Sequence, residues 1–399
     1  MHRISIPSRL WYENREWEVT LPERWDVHNL NPPGFEKPAL SPRQIQEKIE
    51  HPVAGPALED LARGKKRAVI VFDDMTRPTP VKEVAPHVVA ALHRAGLKKD
   101  QIRFLWGLGA HGAYDMINAR KKLGEEIVEH YAVYNHDPFQ NTVRVGRTPT
   151  GVELWFNREF LSCDLKIAVG CITPHVHVGF GGGAKLILPG VAGLETICQF
   201  HNQLFRDQSR IGLGNFENNI MRAECDAAGD AVGLDFKVDC LVNRRGEITS
   251  LYAGPFKATH AAGAEEGREH YGIPPSSGYD LVVCNAYAKA NESAIALFFS
   301  TFSSPMLSAA FAFGLYVAGH FSADLAHFES VVDSRAIAWI AKGLYYLLPN
   351  LAPFDVKAAV VHGQAVPAGY LVLTTGYGLL YSAALVALAM LVFSRRDFK

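Results

Sequence analysis

The chain has 399 residues, enough for two or three domains, and sets 40 Lys+Arg against 41 Asp+Glu for a net charge of −1. That balance lacks the basic excess of a nucleic-acid binder and the acidic excess of a solvated tail, so no nucleic-acid partner is expected. With 48% hydrophobic and 20% charged residues, disordered and collagen-like chains are excluded too.

These averages hide a division. Only 11 of the 107 residues from Ser293 to Lys399 are charged, against 70 of the 292 before them. The six cysteines, Cys163, Cys171, Cys198, Cys225, Cys240 and Cys284, all precede that boundary. None forms a C-x-x-C pair or a disulfide framework, which points to a reduced, cytoplasmic compartment. The N-terminus MHRISIPSRLWYENREWEV is charged throughout and lacks the apolar core of a secretory signal.

In chain order, Arg3 to Thr20 alternates polar and apolar residues around Glu13-Asn14, as a hairpin does. Arg67 to Phe72 reads as a buried parallel strand, ending in the loop Asp73-Asp-Met-Thr-Arg-Pro-Thr-Pro80. A helix follows on the stripe Val81, Val84, Ala85, Val88, Leu92 and Ala95, with Gly96 at its end. The pattern repeats with a strand at Ile102 to Leu108, a loop Gly109-Ala-His-Gly112 and a helix near Lys121 to Tyr131. It repeats again with a strand at Leu165 to Val169, a glycine-rich loop and a helix from about Leu194. Strands alternating with helices predict an α/β fold with a doubly wound parallel sheet, whose ligands sit at the carboxyl ends of the strands. Downstream, Val238 to Val242 and Glu247 to Tyr252 read as strands around the turn Asn243-Arg-Arg-Gly246. A helix runs near Ala258 to Tyr271. After the linker Ile273 to Gly278, Tyr279 to Cys284 begins a second α/β domain that does not continue.

Two charge-free runs follow, 26 residues from Ala294 to Gly319 and 28 from Val366 to Phe393. Each exceeds the roughly 20 residues that span a bilayer core. Two spans with Arg395, Arg396 and Lys399 kept inside place both termini in the cytoplasm and the C-terminal segment in the cytoplasmic membrane. The alternative is a pair of buried helices. Between the two runs, Ala336 to Leu348, with Trp339, Tyr345 and Tyr346, suits the membrane–water interface. The expected organisation is therefore a domain over 1–272, a truncated α/β start over 273–292 and a membrane segment over 293–399.

Candidate chemistry collects in the three loops. Thr173-Pro-His-Val-His-Val-Gly-Phe-Gly-Gly-Gly-Ala-Lys185 is the densest stretch, and Gly181, Gly182 and Gly183 would let backbone approach a phosphate closely. A Walker A loop needs Gly-Lys-Ser/Thr, but Ala184 and Leu186 flank this lysine, so that reading fails. His175 and His177 are compatible with a zinc pair, with no third ligand at an obvious spacing. Taken singly, Lys185 fits a surface lysine and either histidine a satisfied structural one. His201 shares a helical face with Ile197 and Phe205, as a half-buried core histidine would.

Taken together, Asp74-x-x-Arg77-Pro-x-Pro80, Gly109-Ala-His111, Pro174-His175, Gly182-Gly-Ala-Lys185 and His201 resemble the lactate racemase family, over about residues 1 to 290. The intervals of ten from His175 to Lys185 and sixteen from Lys185 to His201 match its pattern. The resemblance implies racemisation or epimerisation of a small 2-hydroxy acid by hydride transfer to a nickel-pincer nucleotide, a nickel-bearing pyridinium-derived mononucleotide. It implies covalent attachment of that cofactor to Lys185 beside Gly182 and Gly183, and nickel ligation by His201. His111 and His175 would be paired acid/bases, and Asp74 and Arg77 would bind substrate and cofactor. His177 lies outside the pattern and is expected to be structural.

The family continues into a second domain that closes over the site and supplies a lysine and a glutamine. Phe298 and Ile295 stand where those would align. From about Ser293, the Phe-Ser-Ser-Pro305 motif and the terminal Ser-Arg-Arg-Asp-Phe resemble the carboxyl end of an ABC-type export permease. A partner ATPase is implied only if that part functions. The competing reading is an inactive chimera, natural or an artefact of sequence assembly, joined near residues 285 to 293.

Overall fold

The structure is a computed structural model that describes residues 1–8, 15–203, 207–273, 367–394 and scattered positions between 337 and 354. Contacts divide the chain into Met1–Tyr279 and Asp280–Lys399.

The first unit opens with strands β1 (His2–Ser8) and β2 (Arg15–Leu21), which pair antiparallel as the alternation predicts. Helices α1 (Pro42–Glu50) and α2 (Leu58–Ala62) lead into β3 (Ala68–Asp73), buried along its whole length. Next come α3 (Val81–Arg94), β4 (Ile102–Gly107), α4 (Met116–Leu123), α5 (Glu125–His130) and β5 (Ala132–Asn135). A second hairpin, β6 (Thr142–Arg147) and β7 (Glu153–Asn157), and the short α6 (Arg158–Leu161) precede β8 (Leu165–Cys171). The glycine-rich segment folds as a tight hairpin, β9 (Pro174–His175) against β10 (Gly179–Phe180). Helices α7 (Leu194–Asn202) and α8 (Ile220–Val232), strands β11 (Phe236–Val242) and β12 (Ile248–Gly254), and α9 (Phe256–Tyr271) complete the unit.

The main sheet has the order β12-β11-β8-β3-β4-β5. Its five strands from β11 to β5 run parallel, whereas β12 returns antiparallel along the edge, so the sheet is mixed rather than wholly parallel. The antiparallel edge follows from the short turn at Asn243–Gly246, since a parallel return needs a long crossover. Alternate residues of the central strands feed opposite cores. Ile70, Phe72, Phe104 and Trp106 pack under α1, α3, α4 and α5, and Val69, Val71, Leu105 and Ala168 pack under α7 and α8. From β3 the chain winds outward through β4 to β5, then recrosses to place β8 on the other side. The winding direction thus reverses between β3 and β8, where a crevice opens beyond the strand ends.

One helix expected near Lys121 to Tyr131 is instead two, α4 and α5, broken at Gly124. The strand expected at Tyr279 to Cys284 and the run Ala294 to Gly319 lie outside the described residues, as does most of Ala336 to Leu348.

In the second unit, Ala368–Ser394 is a 27-residue helix without a charge, about 40 Å long at 1.5 Å per residue. Leu373 and Leu380 are 76% and 75% exposed within their unit. Among the described residues, Ala368–Leu388 is the one helix long and apolar enough to cross a membrane, and the other expected span lies outside those residues.

Candidate active site

A cleft of about 310 Å³ lies at the β3/β8 crossover. Strand β3 sends Asp73, Asp74 and Arg77 into it, and β4 sends Gly107 to His111. From the β8 end come Gly170, Cys171, Thr173, His175, His177, Gly182 and Lys185. His201 reaches it from the last turn of α7. Asp74, Arg77, His111, His175, Gly182, Lys185 and His201 therefore share one cavity. Gly183 stands behind it, and its amide is turned to Asp239 Oδ2 at 2.7 Å.

Asp74 and His111 form a dyad through Oδ2 and Nδ1. Burial pushes the Asp74 carboxyl up, but hydrogen bonds from His111 and from Thr76 outweigh it and hold it below its usual value. An ionised carboxylate only accepts, so His111 donates from Nδ1 and its lone pair sits on Nε2.

His175 has the opposite arrangement. The His177 backbone N–H donates to its Nδ1 at 3.1 Å, so neutral His175 carries its proton on Nε2. Burial, then the charges of Lys185 and Arg77, push its pKa down to about 2, so the ring is neutral. His177, expected to be structural, lines the same cleft. Its ring lies 5.5 Å from that of His175 and 6.4 Å from that of His201, at the lip of the cleft. Its proximity to His201 was not legible because α7 and the β9–β10 hairpin meet only in three dimensions.

Burial and the neighbouring Arg77 guanidinium lower the Lys185 ammonium to about 8. Roughly a tenth of it is then the free, nucleophilic amine at pH 7. His201 donates Nδ1–H to the Ile197 carbonyl, 2.8 Å away and one turn back, which fixes the tautomer and frees Nε2 for a metal. No cluster of three or more His, Cys, Asp or Glu suited to a metal occurs among the described residues. A zinc pair at His175 and His177 therefore has no completing ligand, whereas a metal carried by its own organic ligand needs only one imidazole. The residues present fit a nickel-pincer nucleotide: a nucleophilic amine, one tautomer-fixed imidazole, and a glycine turn whose Gly182 φ of 75° a side chain would strain.

The lactate racemase N-terminal domain matches residues 12–213 of this chain. The chain belongs to the lactate racemase family. The lactate racemase of Thermoanaerobacterium thermosaccharolyticum is 30% identical over 223 residues, 55% of this chain and 52% of the relative. That of Lactiplantibacillus plantarum is 29% identical over 232 residues, 58% of this chain and 54% of the relative. The solved structure of the T. thermosaccharolyticum lactate racemase apoprotein superposes with a TM-score of 0.57 at 28% identity, over 66% of this chain and 62% of that one. The chain thus spans about half the length of the curated relatives it matches. All eight residues singled out by the family resemblance fall inside 12–213.

Sequence reading missed the buried charges beneath the cleft, Lys122, Lys237 and Asp239, each 0% exposed. A signal for two of them was present, since Lys237 and Asp239 interrupt an otherwise apolar strand at a spacing of two and so share one of its faces.

Proposed function

We propose that this chain racemises or epimerises a small 2-hydroxy acid with a nickel-pincer nucleotide held by Lys185 and His201. One observation carries the reading: Asp74, Arg77, His111, His175, Lys185 and His201 line a single cleft at the β3/β8 crossover. Arg77 holds the substrate carboxylate with two parallel N–H bonds. His111, oriented by Asp74, takes the hydroxyl proton at Nε2 and returns it to the same oxygen when hydrogen comes back to C2, while neutral His175 gives that oxygen an Nε2–H hydrogen bond. The two histidines thus differ in tautomer, with a lone pair on Nε2 of His111 and a proton on Nε2 of His175. When bound, the cofactor supplies a two-electron acceptor for the hydrogen at substrate C2, which avoids a carbanion at a poorly acidic carbon. The test is to incubate the full chain, purified from cells that also make the cofactor, with a single lactate enantiomer and follow chiral composition. Drift towards the racemate supports the reading, and an unchanged enantiomer with cofactor bound contradicts it.

A second reading is a chain that captures the cofactor but turns over poorly. It is favoured by a match to only about half of each curated relative, because a closing domain excludes water and fixes substrate geometry. Cofactor retained with no interconversion of several 2-hydroxy acids is its signature.

We also propose that Ala368–Ser394 anchors the chain in the membrane. Support comes from its length, its lack of charge and its burial over only 11% of the apolar window. Carbonate-washed membranes should retain the protein, and release into the supernatant contradicts anchoring. The permease likeness rests mostly on residues outside the described ones.

A further inference from the structure

Lys237 and Asp239 lie on one face of β11, both 0% exposed, with Nζ 2.7 Å from Oδ1. Beside them on β8, Gly170 is in register with Asp239. A Cβ on Gly170 would stand 3.1 Å from Lys237 Nζ, 3.6 Å from Asp239 Oδ1 and 3.6 Å from Asp73 Oδ2. Three buried charged tips therefore converge where this strand has no side chain. Asp73 pairs in turn with Lys122, Nζ to Oδ1 at 2.8 Å. The same ammonium donates to the carbonyls of Asp74 and Arg77, each at 3.0 Å.

At the other end, Asp239 Oδ2 accepts the Gly183 amide at 2.7 Å. Gly182 packs so close that a Cβ there would come within 2.8 Å of Asp239 Oδ1. From the opposite side, Arg222 donates to the carbonyls of Phe180 and Gly182. Four buried charges summing to zero thus run from the loop that bears Arg77 to the turn that bears Lys185.

We propose that Asp239 is a positioning residue: through the Gly183 amide it locks the Gly182–Gly183 turn, and the Lys237–Asp239 and Lys122–Asp73 pairs register that turn against the Asp74–Arg77 loop, presenting Lys185 in the cleft. A carboxylate gives a backbone amide a stronger, more directional partner than a neutral group. Buried ion pairs add little net stability over apolar packing, so their use here is geometric. The inference deepens the proposed capture of cofactor by Lys185 and draws its meaning from it. Its test reads the amine in the cofactor-free chain, so it can fail or succeed whether or not the chain racemises anything.

Removing Asp239 alone would strand a buried lysine, so the test uses two charge-free pairs in the full chain. Lys237→Met with Asp239→Asn keeps an acceptor for Gly183, whereas Lys237→Met with Asp239→Leu removes it. Lys185 is acetylated by brief pulses of acetic anhydride across a pH series and read by peptide mass spectrometry. The Asn pair should keep the midpoint of the wild-type profile within about 0.3 pH unit. The Leu pair should move it up by about 1 unit or more, towards an ordinary solvated lysine. Equal midpoints in the two pairs overturn the proposal, wherever they fall. Should the Leu pair not fold, amide exchange in the wild-type chain decides. The peptide containing Gly183 should exchange as slowly as β11, and fast exchange there with β11 protected overturns the proposal.

Discussion

His111 donates an Nδ1–H hydrogen bond to Asp74, a carboxylate only 4% exposed, while the side chain of the histidine itself is 54% exposed. A buried anion thus sets the tautomer of an imidazole that solvent and substrate can both reach. This pairing leaves Nε2 of His111 open for the proposed role as base without fixing the ring in the protein core.

Asp74→Asn keeps the size of the side chain but allows the wrong His111 tautomer. Interconversion of lactate enantiomers should fall by about 10²–10⁴-fold, while mass spectrometry still finds cofactor on Lys185. A rate within about twofold of wild type would contradict the dyad.

The histidines separate by role. His111→Ala and His175→Ala should each abolish interconversion with nickel content unchanged, because neither is the proposed metal ligand. His201→Ala should lose the nickel instead. Metal analysis beside the chiral assay checks all three, and full racemisation in either of the first two variants would sink the two-histidine mechanism.

The parallel core and the three chemistry-bearing loops were legible because each strand is an apolar run that ends in a loop of unusual composition, as at Phe72 to Pro80. Motif order singled out His175, Lys185 and His201, and winding reversal at β3/β8 explains why their loops meet. Other features were less legible. The split of α4 from α5 falls at Gly124, whose φ of 86° ends one helix and starts the next. The role of Lys122 was hidden because a lysine in the polar run Arg120-Lys-Lys122 looks solvated, and only tertiary structure turns it onto Asp73. The edge strand β12 also shows that a strand count does not give strand direction; the turn length does.

Arg77 and Lys185 are coupled cations. Burial and then Arg77 are the largest causes that hold the Lys185 ammonium at about 8, so Arg77→Leu removes one of them and its pKa should rise. The pH midpoint for acetylation of Lys185 should move upward by about half a unit or more. A midpoint unchanged or lowered in that variant would show that Arg77 does not face the amine.

Acid should destabilise the fold through buried neutral histidines. His260 is 4% exposed, with no partner on Nε2 among the described residues, and burial, then Arg222, hold its pKa well below 6.5. The unfolded chain binds that proton near pH 6.5 and the folded one does not. The contribution is therefore complete above pH 6.5 and is lost as the pH falls. At pH 5.5 part of that contribution is already lost, and His175 adds to the loss with the same sign. Urea unfolding at pH 7.5 and 5.5 should show a smaller difference for His260→Gln than for wild type. Equal differences would remove His260 from the account.

The most direct measurement is peptide mass spectrometry of the full chain after co-expression with cofactor-synthesis enzymes. The peptide bearing Lys185 should carry the nucleotide as a covalent adduct, absent from Lys185→Ala and from chain made without those enzymes. An unmodified Lys185 peptide, in a preparation where a known lactate racemase made alongside is loaded, would contradict the cleft's assignment as a cofactor-capturing racemase site.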